Sequence, residues 1–144
     1  MDSKPQIGDG RYQLTEFVTK GGMGAIYRAH DVQLGRPVAI KCLLDVTQPE
    51  GKERAIREAR ILASLSHPNI MSVYDILSNN DQVWIVSEWL EGKSLAKLPL
   101  PLSPTFSLAI MSQVYSALAA AHDANIIHRD IKPQNFMFAK DRKT

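Results

Sequence analysis

The eight residues His128-Arg129-Asp130-Ile131-Lys132-Pro133-Gln134-Asn135 are the most chemically specific stretch of the sequence. Asp130 supplies a carboxylate that can take the proton of a hydroxyl group. Lys132, two residues later, supplies a cation that can neutralise a phosphate during its transfer. Asn135 offers an amide oxygen to a hard cation such as Mg²⁺. Pro133 fixes one backbone torsion between these side chains and stiffens the loop. The spacing therefore predicts chemistry on a phosphate group.

The composition is that of a globular domain with no strong electrostatic preference. The 144 residues carry 17 basic and 15 acidic side chains, a net charge of +2, which argues against nucleic acid as the main partner. The single cysteine, Cys42, excludes an internal disulfide and a cysteine-based zinc site. No stretch approaches the roughly 20 apolar residues of a membrane span, and the polar start is not a signal peptide. A cytoplasmic location is expected.

The first 90 residues alternate between strand-like and turn-like segments. Residues 1–10 are expected to be a flexible leader, because they contain proline and glycine without periodicity. A helix is predicted over residues 50–65, where apolar side chains recur at helical spacing. Strands are predicted over residues 11–19, 25–30, 37–44, 70–77 and 82–89. This order indicates a small α+β unit with an antiparallel sheet.

The remaining residues, 91–144, are expected to be mainly helical. Residues 97–104 contain three prolines, which forbid regular structure and mark a linker. Ser103 followed by Pro104 is typical of a helix N-cap and first turn, which predicts a long helix over residues 104–124. Residues 136–138, Phe-Met-Phe, are typical of a short apolar strand.

Two further patterns precede the 128–135 stretch. The glycine cluster at residues 21–24 joins two strands, so its backbone N–H groups can approach phosphate oxygens, although a plain glycine-rich hairpin explains the cluster equally well. Lys41 ends the apolar letters Val-Ala-Ile-Lys and needs an anion if it is buried. Glu58 on the following helix is the obvious partner; a solvent-exposed lysine and a helix-surface glutamate are the alternative. The joint occurrence of all three patterns favours one shared site.

These motifs resemble the protein kinase family, especially bacterial serine/threonine kinases. The resemblance rests on GGMGAIYRA over residues 21–29, VAIK over residues 38–41 and the 128–135 stretch, and it runs from about Arg11 to Phe138. It implies an α+β, protein-kinase-like fold, with a kinase N-lobe and hinge over residues 11–90. Residues 91–144 would be a truncated C-lobe, since the sequence contains no D-F-G, activation-loop or A-P-E motif.

The resemblance also implies roles for individual residues. Lys41 is similar to the lysine that holds the α- and β-phosphates of ATP, and Glu58 to its ion-pair partner. Asp130 is similar to the catalytic base, Lys132 to the γ-phosphate neutraliser, and Asn135 to a ligand of Mg²⁺. The nucleotide would be bound by Val18, Gly21, Gly22, Gly24, Ile26, Ala39, Glu88, Leu90 and Met137, with Ser87 as a small gatekeeper. Thr19 departs from the family pattern, because it stands where the first glycine of G-x-G-x-x-G is expected.

The resemblance implies an ATP- and Mg²⁺-dependent serine/threonine protein kinase that acts on a protein substrate. Lys132 favours serine or threonine over tyrosine as the acceptor. The alternative, from another class, is a catalytically silent binding or regulatory module. Such a module would dock a partner or a second copy through the apolar face of helix 104–124, which the missing part of the C-lobe would leave exposed.

Overall fold

The computed structural model describes residues 5–21, 24–43, 48–79, 82–127 and 131–139. These ranges contain the strands β1 (Gln6–Ile7), β2 (Tyr12–Gly21), β3 (Gly24–Asp31), β4 (Arg36–Leu43), β5 (Val73–Ser78) and β6 (Val83–Glu88), the helices α1 (Pro49–Ser64) and α2 (Pro104–Asp123), and short 3₁₀ helices at Leu95–Lys97 and Pro133–Asn135. The chain divides into two compact units. The first comprises Met1–Ser64 and Ser72–Trp89, and the second comprises Leu65–Met71 and Leu90–Thr144.

The first unit is an antiparallel sheet with one helix, as the sequence predicts. Its strand order is β1-β2-β3-β4-β6-β5. The strands β2, β3 and β4 form two successive hairpins, and α1 then carries the chain across so that β6 pairs with β4 and β5 lies at the edge. Helix α1 packs against β5 and β6. The α+β architecture expected from the element order is therefore confirmed.

Side-chain alternation along β4 separates a core face from a second face of the sheet. Val38 and Ile40 are fully buried, and Cys42 is nearly so. Ala39 and Lys41 lie between them in sequence and point to the other face, where both are half-buried. The core cluster consists of Tyr12, Ala29, Val38, Ile40 and Val86. The predicted phosphate-binding lysine is thus held in place by neighbours that anchor the hydrophobic core.

A buried carboxylate fastens the start of β2 to the turn after β3. The Nε and Nη2 atoms of Arg11 donate to the two oxygens of Asp31 at 3.1 and 2.9 Å. Asp31 is fully buried, and its Oδ1 also accepts from the backbone N–H groups of Gln33 and Leu34 at 3.1 and 3.3 Å. The hydrogen bond from Arg11 holds the pKa of Asp31 below its ordinary value, with smaller contributions from the two backbone donors.

The edge strand β5 is linked to the same region through Tyr12. The phenol of Tyr12 donates to Asp75 Oδ2 at 3.0 Å, and Arg11 Nη1 lies 3.7 Å from the same oxygen. Burial raises the pKa of Tyr12 to about 12, and the hydrogen bond to Asp75 contributes in the same direction. The neutral phenol is therefore the stable form, which suits its role as a buried donor.

The second unit is built around α2. Ser103 caps the helix, because its Oγ accepts from the N–H of Phe106 at 3.2 Å. The segment 65–71 contacts the middle of the helix: His67 Nε2 lies 3.0 Å from Ser116 Oγ, and Asn69 donates to Gln113 at 2.9 Å. None of the helices in the described ranges combines the length and apolar content that a membrane span needs.

Three local expectations differ from the structure. Residues 6 and 7, expected within the flexible leader, form β1, because they pair with Tyr12 and Gln13. The strand expected from residue 70 begins at Val73, since residues 65–71 belong to the second unit. The strand expected over residues 136–138 is reduced to an isolated bridge between Met137 and Ser94. Pairing with another segment thus decides the structure of residues 6–7 and of Met137, where the local pattern predicted otherwise.

We predict that Asp31→Asn lowers the free energy of unfolding at pH 7. As the pH falls, the variant should lose less of this free energy than the original chain does. The pKa of Asp31 is lower in the folded chain than in the unfolded chain. Its stabilising contribution is therefore fully present above the unfolded value of about 4 and is lost as the pH falls through the lower folded value. Urea unfolding midpoints between pH 7 and pH 3 measure this. Glu53→Gln, at an exposed position of α1, is the control that should keep the original profile. If the unfolding midpoints of Asp31→Asn and the original chain fell in parallel as the pH decreased, the stabilising role of ionised Asp31 would be contradicted.

Candidate functional site

The residues that the sequence assigns to a site fall in both units, and each unit is considered by itself. Val18, Gly21, Gly24, Ile26, Ala39, Lys41, Glu58 and Glu88 lie in the first unit; Leu90, Lys132, Asn135 and Met137 lie in the second. Gly22 and the catalytic-loop residues His128, Arg129 and Asp130 lie outside the described residues.

Cross-strand register collects several of these side chains on one face of the sheet. Lys41 is opposite Ile26 on β3 and Ile85 on β6. Two residues along β4, Ala39 is opposite Arg28 and Ser87. Because residues two apart in a strand share a face, all six side chains point to the same side, in two rows about 7 Å apart. The small side chains of Ala39 and Ser87 take little space beside the lysine.

Lys41 is a partly desolvated cation on this face. Its pKa is lowered from the ordinary value, and burial is the cause. Salt bridges within the described ranges join Arg11 to Asp31 and to Asp75, and none involves Lys41. A desolvated ammonium without a counter-ion is unfavourable, so this position suits an anionic ligand.

The described residues do not bring Glu58 and Lys41 together as an ion pair. Glu58 is exposed, whereas the next residue, Ala59, is buried. Successive helix positions are rotated by about 100°, so a helix that points Ala59 inward turns Glu58 away from the same contact. The pairing implied by the family resemblance would require α1 to change its position or rotation.

The glycine hairpin has a packing constraint that the sequence pattern did not reveal. Gly24 pairs with Gly21 on β2 and with Leu43 on β4. Its φ is 148°, and an added Cβ would lie 2.2 Å from the carbonyl oxygen of Cys42. Gly21, by contrast, has open space around it. Gly24 is therefore needed for close backbone approach to β4, and Gly21 leaves the hairpin open to an incoming group.

Glu88, the last residue of β6, and Trp89 after it are fixed by contacts that sequence analysis missed. The Glu88 N–H donates to Ser72 O at 3.0 Å, and Glu88 Oε1 accepts from the Ser72 N–H at 2.7 Å. Next in the chain, the ring of Trp89 lies under the guanidinium of Arg28, 5.0 Å from the Arg28 Cζ to the ring centroid. The sequence gives two weak signals for these contacts. One is an acidic residue at the end of a strand, and the other is an arginine on another strand of the same sheet.

In the second unit, hydrogen bonds hold the residues that follow the catalytic stretch. The N–H of Asn135 donates to Lys132 O at 2.9 Å within the 3₁₀ turn. The N–H of Leu95 donates to Phe136 O at 2.8 Å, and that of Phe138 donates to Lys93 O at 3.0 Å. Lys132 and Asn135 are both exposed. Among the described residues, no group of three or more His, Cys, Asp or Glu side chains could hold a metal ion.

Comparison with known proteins gives a consistent result. The family model for the protein kinase domain matches residues 12–144. The serine/threonine-protein kinase PrkC of Bacillus subtilis is 44% identical over 133 residues, which cover 89% of this chain and 20% of that protein. Serine/threonine-protein kinase pkn2 of Myxococcus xanthus is 40% identical over 139 residues, or 94% of this chain and 17% of that protein. The chain thus spans about a fifth of the length of these relatives.

A solved structure supports the same architecture. The kinase domain of Mycobacterium tuberculosis PknI superimposes with a TM-score of 0.77 at 27% identity. The match covers 90% of this chain and 55% of that chain. The fold predicted from the sequence is confirmed by this likeness.

We predict that Lys41→Met raises the thermal unfolding midpoint of the ligand-free chain by about 2–4 °C, because it removes a desolvated charge but keeps the apolar stem. Scanning calorimetry without nucleotide measures the shift. Lys20→Met, at an exposed position of β2, is the matched control and should change the midpoint little. A lower midpoint for Lys41→Met would mean that the ammonium already has a favourable partner.

Proposed function

The chain belongs to the protein kinase family, and from this we propose that it binds Mg-ATP and carries residues that transfer the γ-phosphoryl group to a serine or threonine hydroxyl of a protein. One observation carries the proposal. Lys41 is a desolvated cation without a carboxylate partner in the described part of the first unit, on a sheet face where Ala39 and Ser87 leave space. A nucleoside polyphosphate supplies both the anion that Lys41 lacks and a flat base for the small residues.

In the proposed complex, apolar side chains contact the base and backbone groups bind its edge. Val18, Ile26 and Ala39, all in the first unit, would contact the purine. The N–H of Glu88 donates to Ser72, and its carbonyl would bind the base edge. The glycine hairpin would cover the phosphates with backbone N–H groups, since Gly21 has no neighbouring atoms that obstruct an approach.

The proposed chemistry relies on positioning and on charge neutralisation. Asp130 would orient the acceptor hydroxyl and take its proton as general base. Lys132 would offset negative charge on the transferring phosphoryl group, and Asn135 would be a ligand of Mg²⁺. The metal, when bound, supplies neutralisation of phosphate charge. Glu58 would pair with Lys41 and orient it, after the change in α1 that their present separation requires.

The substrate and location follow from the same proposal. Lys132 supports a serine or threonine acceptor on a protein, and the use of ATP supports a cytoplasmic location. The silent docking module is not favoured, because the matching relatives are named as kinases. The apolar side chains that suggested it are nevertheless exposed on α2: Phe106, Leu108, Met111 and Tyr115.

We predict that Asp130→Asn lowers the rate of phosphoryl transfer by about 10²–10⁴-fold, because it removes the general base. Nucleotide affinity should change much less, since the base and phosphates are bound by other residues. Transfer of labelled phosphate from Mg-ATP to a basic protein measures the rate, and calorimetric titration with Mg-ADP measures the affinity. Asp123→Asn, at the exposed end of α2, is the matched control. Equal and measurable rates for Asp130→Asn and the original chain would refute the assignment of the base, and failure of the original chain to bind Mg-ADP would refute the nucleotide site.

A further inference from the structure

Arg28 has a position that the proposed function does not yet use. It lies on the sheet face that carries Lys41, in the row formed with Ala39 and Ser87. Lys41 lies in the neighbouring row, about 7 Å away along β4. Ile26 shares the row of Lys41, and Ala39 shares the row of Arg28. Arg28 is therefore level with Ala39, which would contact the base, and one row away from Lys41.

The contact made by Arg28 joins two segments that would hold the base from different sides. Arg28 belongs to the β2–β3 hairpin, which also carries Val18, Ile26 and the glycine cluster. Its guanidinium lies over the ring of Trp89, 5.0 Å from the centroid. Trp89 directly follows Glu88, whose carbonyl is proposed to bind the base edge. The cation–π contact thus links the hairpin to the segment after β6.

Within the part of the chain that the structure describes, Trp89 lacks the hydrogen bond that usually orients the ring of a buried tryptophan. Its indole Nε1 is buried and has no hydrogen-bond partner among the described residues. Buried indole N–H groups are usually fixed by an acceptor. Here the ring orientation rests on packing and on the arginine above it. The preceding residue is held more firmly, since Glu88 makes two hydrogen bonds with Ser72.

We propose that Arg28 is a positioning residue for nucleotide binding. By stacking on Trp89, it holds in place the residue that directly follows Glu88, and so fixes the position of the Glu88 backbone that would bind the base edge. This inference rests on the proposed nucleotide site and adds to it the residue that tunes base affinity. It makes no use of a direct contact between Arg28 and the nucleotide.

The proposal predicts equal losses of affinity for adenosine and for Mg-ADP. Arg28→Met, which removes the cation but keeps a long side chain, should weaken both ligands about two- to fivefold, the range expected for loss of one partly exposed cation–π contact. The affinity of Arg28→Lys for both ligands should lie between that of Arg28→Met and that of the original chain. Trp89→Leu should cause a similar loss, and the double variant should lose no more than the weaker-binding single variant. Calorimetric titration of the full 144-residue chain measures all of these affinities.

A matched control separates this role from general stability. Arg36 makes the same type of contact on the opposite face of the sheet, with its guanidinium 3.7 Å from the ring centroid of Tyr74. Arg36→Met should lower the thermal midpoint at least as much as Arg28→Met does, without changing affinity for adenosine. Equal weakening by both arginine variants would identify a structural effect and overturn the proposal.

The remaining outcomes are distinguishable. Weaker Mg-ADP binding with unchanged adenosine binding would mean that Arg28 acts by its charge on the phosphates, which overturns the positioning role. Unchanged affinity for both ligands would also overturn it and leave the proposed function intact. If the original chain binds neither adenosine nor Mg-ADP, the proposed nucleotide site itself is refuted, and the role of Arg28 with it.

Discussion

The alternation of side chains along β4 is the constraint on which the rest of the structure depends. Val38 and Ile40 are fully buried in the core, and this burial fixes which side of the sheet receives Ala39 and Lys41. A slip of one residue in pairing would exchange the two faces and put the ammonium of Lys41 into the core, at a large cost in free energy. The same hydrophobic burial that stabilises the sheet therefore determines where the cation lies and how strongly it is desolvated.

Much of the fold could be predicted because its signals are local. Period-two and helical patterns located most of the strands and both helices to within a few residues, and the letters Val-Ala-Ile-Lys indicated which strand carries Lys41. Local patterns could not reveal contacts between distant residues. The ion pair of Arg11 with Asp31 and the hydrogen bond of Tyr12 with Asp75 join positions 20 and 63 residues apart, and no short motif specifies either contact.

The candidate site shows the same division between local and long-range information. Lys41 and the glycine hairpin follow from local motifs, whereas the exposure of Glu58 depends on how α1 is rotated against the sheet. Sequence made Glu58 the obvious partner of Lys41, whereas in the structure Ala59 is buried and Glu58 is exposed. The stacking of Arg28 on Trp89 could not be found from sequence, because it requires β4 to pair with both β3 and β6 and so bring Trp89 within reach of Arg28.

The assignment of residues 65–71 to the second unit has a consequence for how this protein can be dissected. The chain leaves the first unit after Ser64, returns at Ser72 and leaves again after Trp89, so neither unit is a continuous piece of sequence. A fragment that stops before α2 would contain His67 and Asn69 without the helix side chains they contact. During folding, segment 65–71 can form its contacts with α2 only after residues more than 40 positions later are in place. The strands before and after the segment can pair earlier. The two units are thus distinct in structure but interleaved in sequence, and no single cut in the chain separates them.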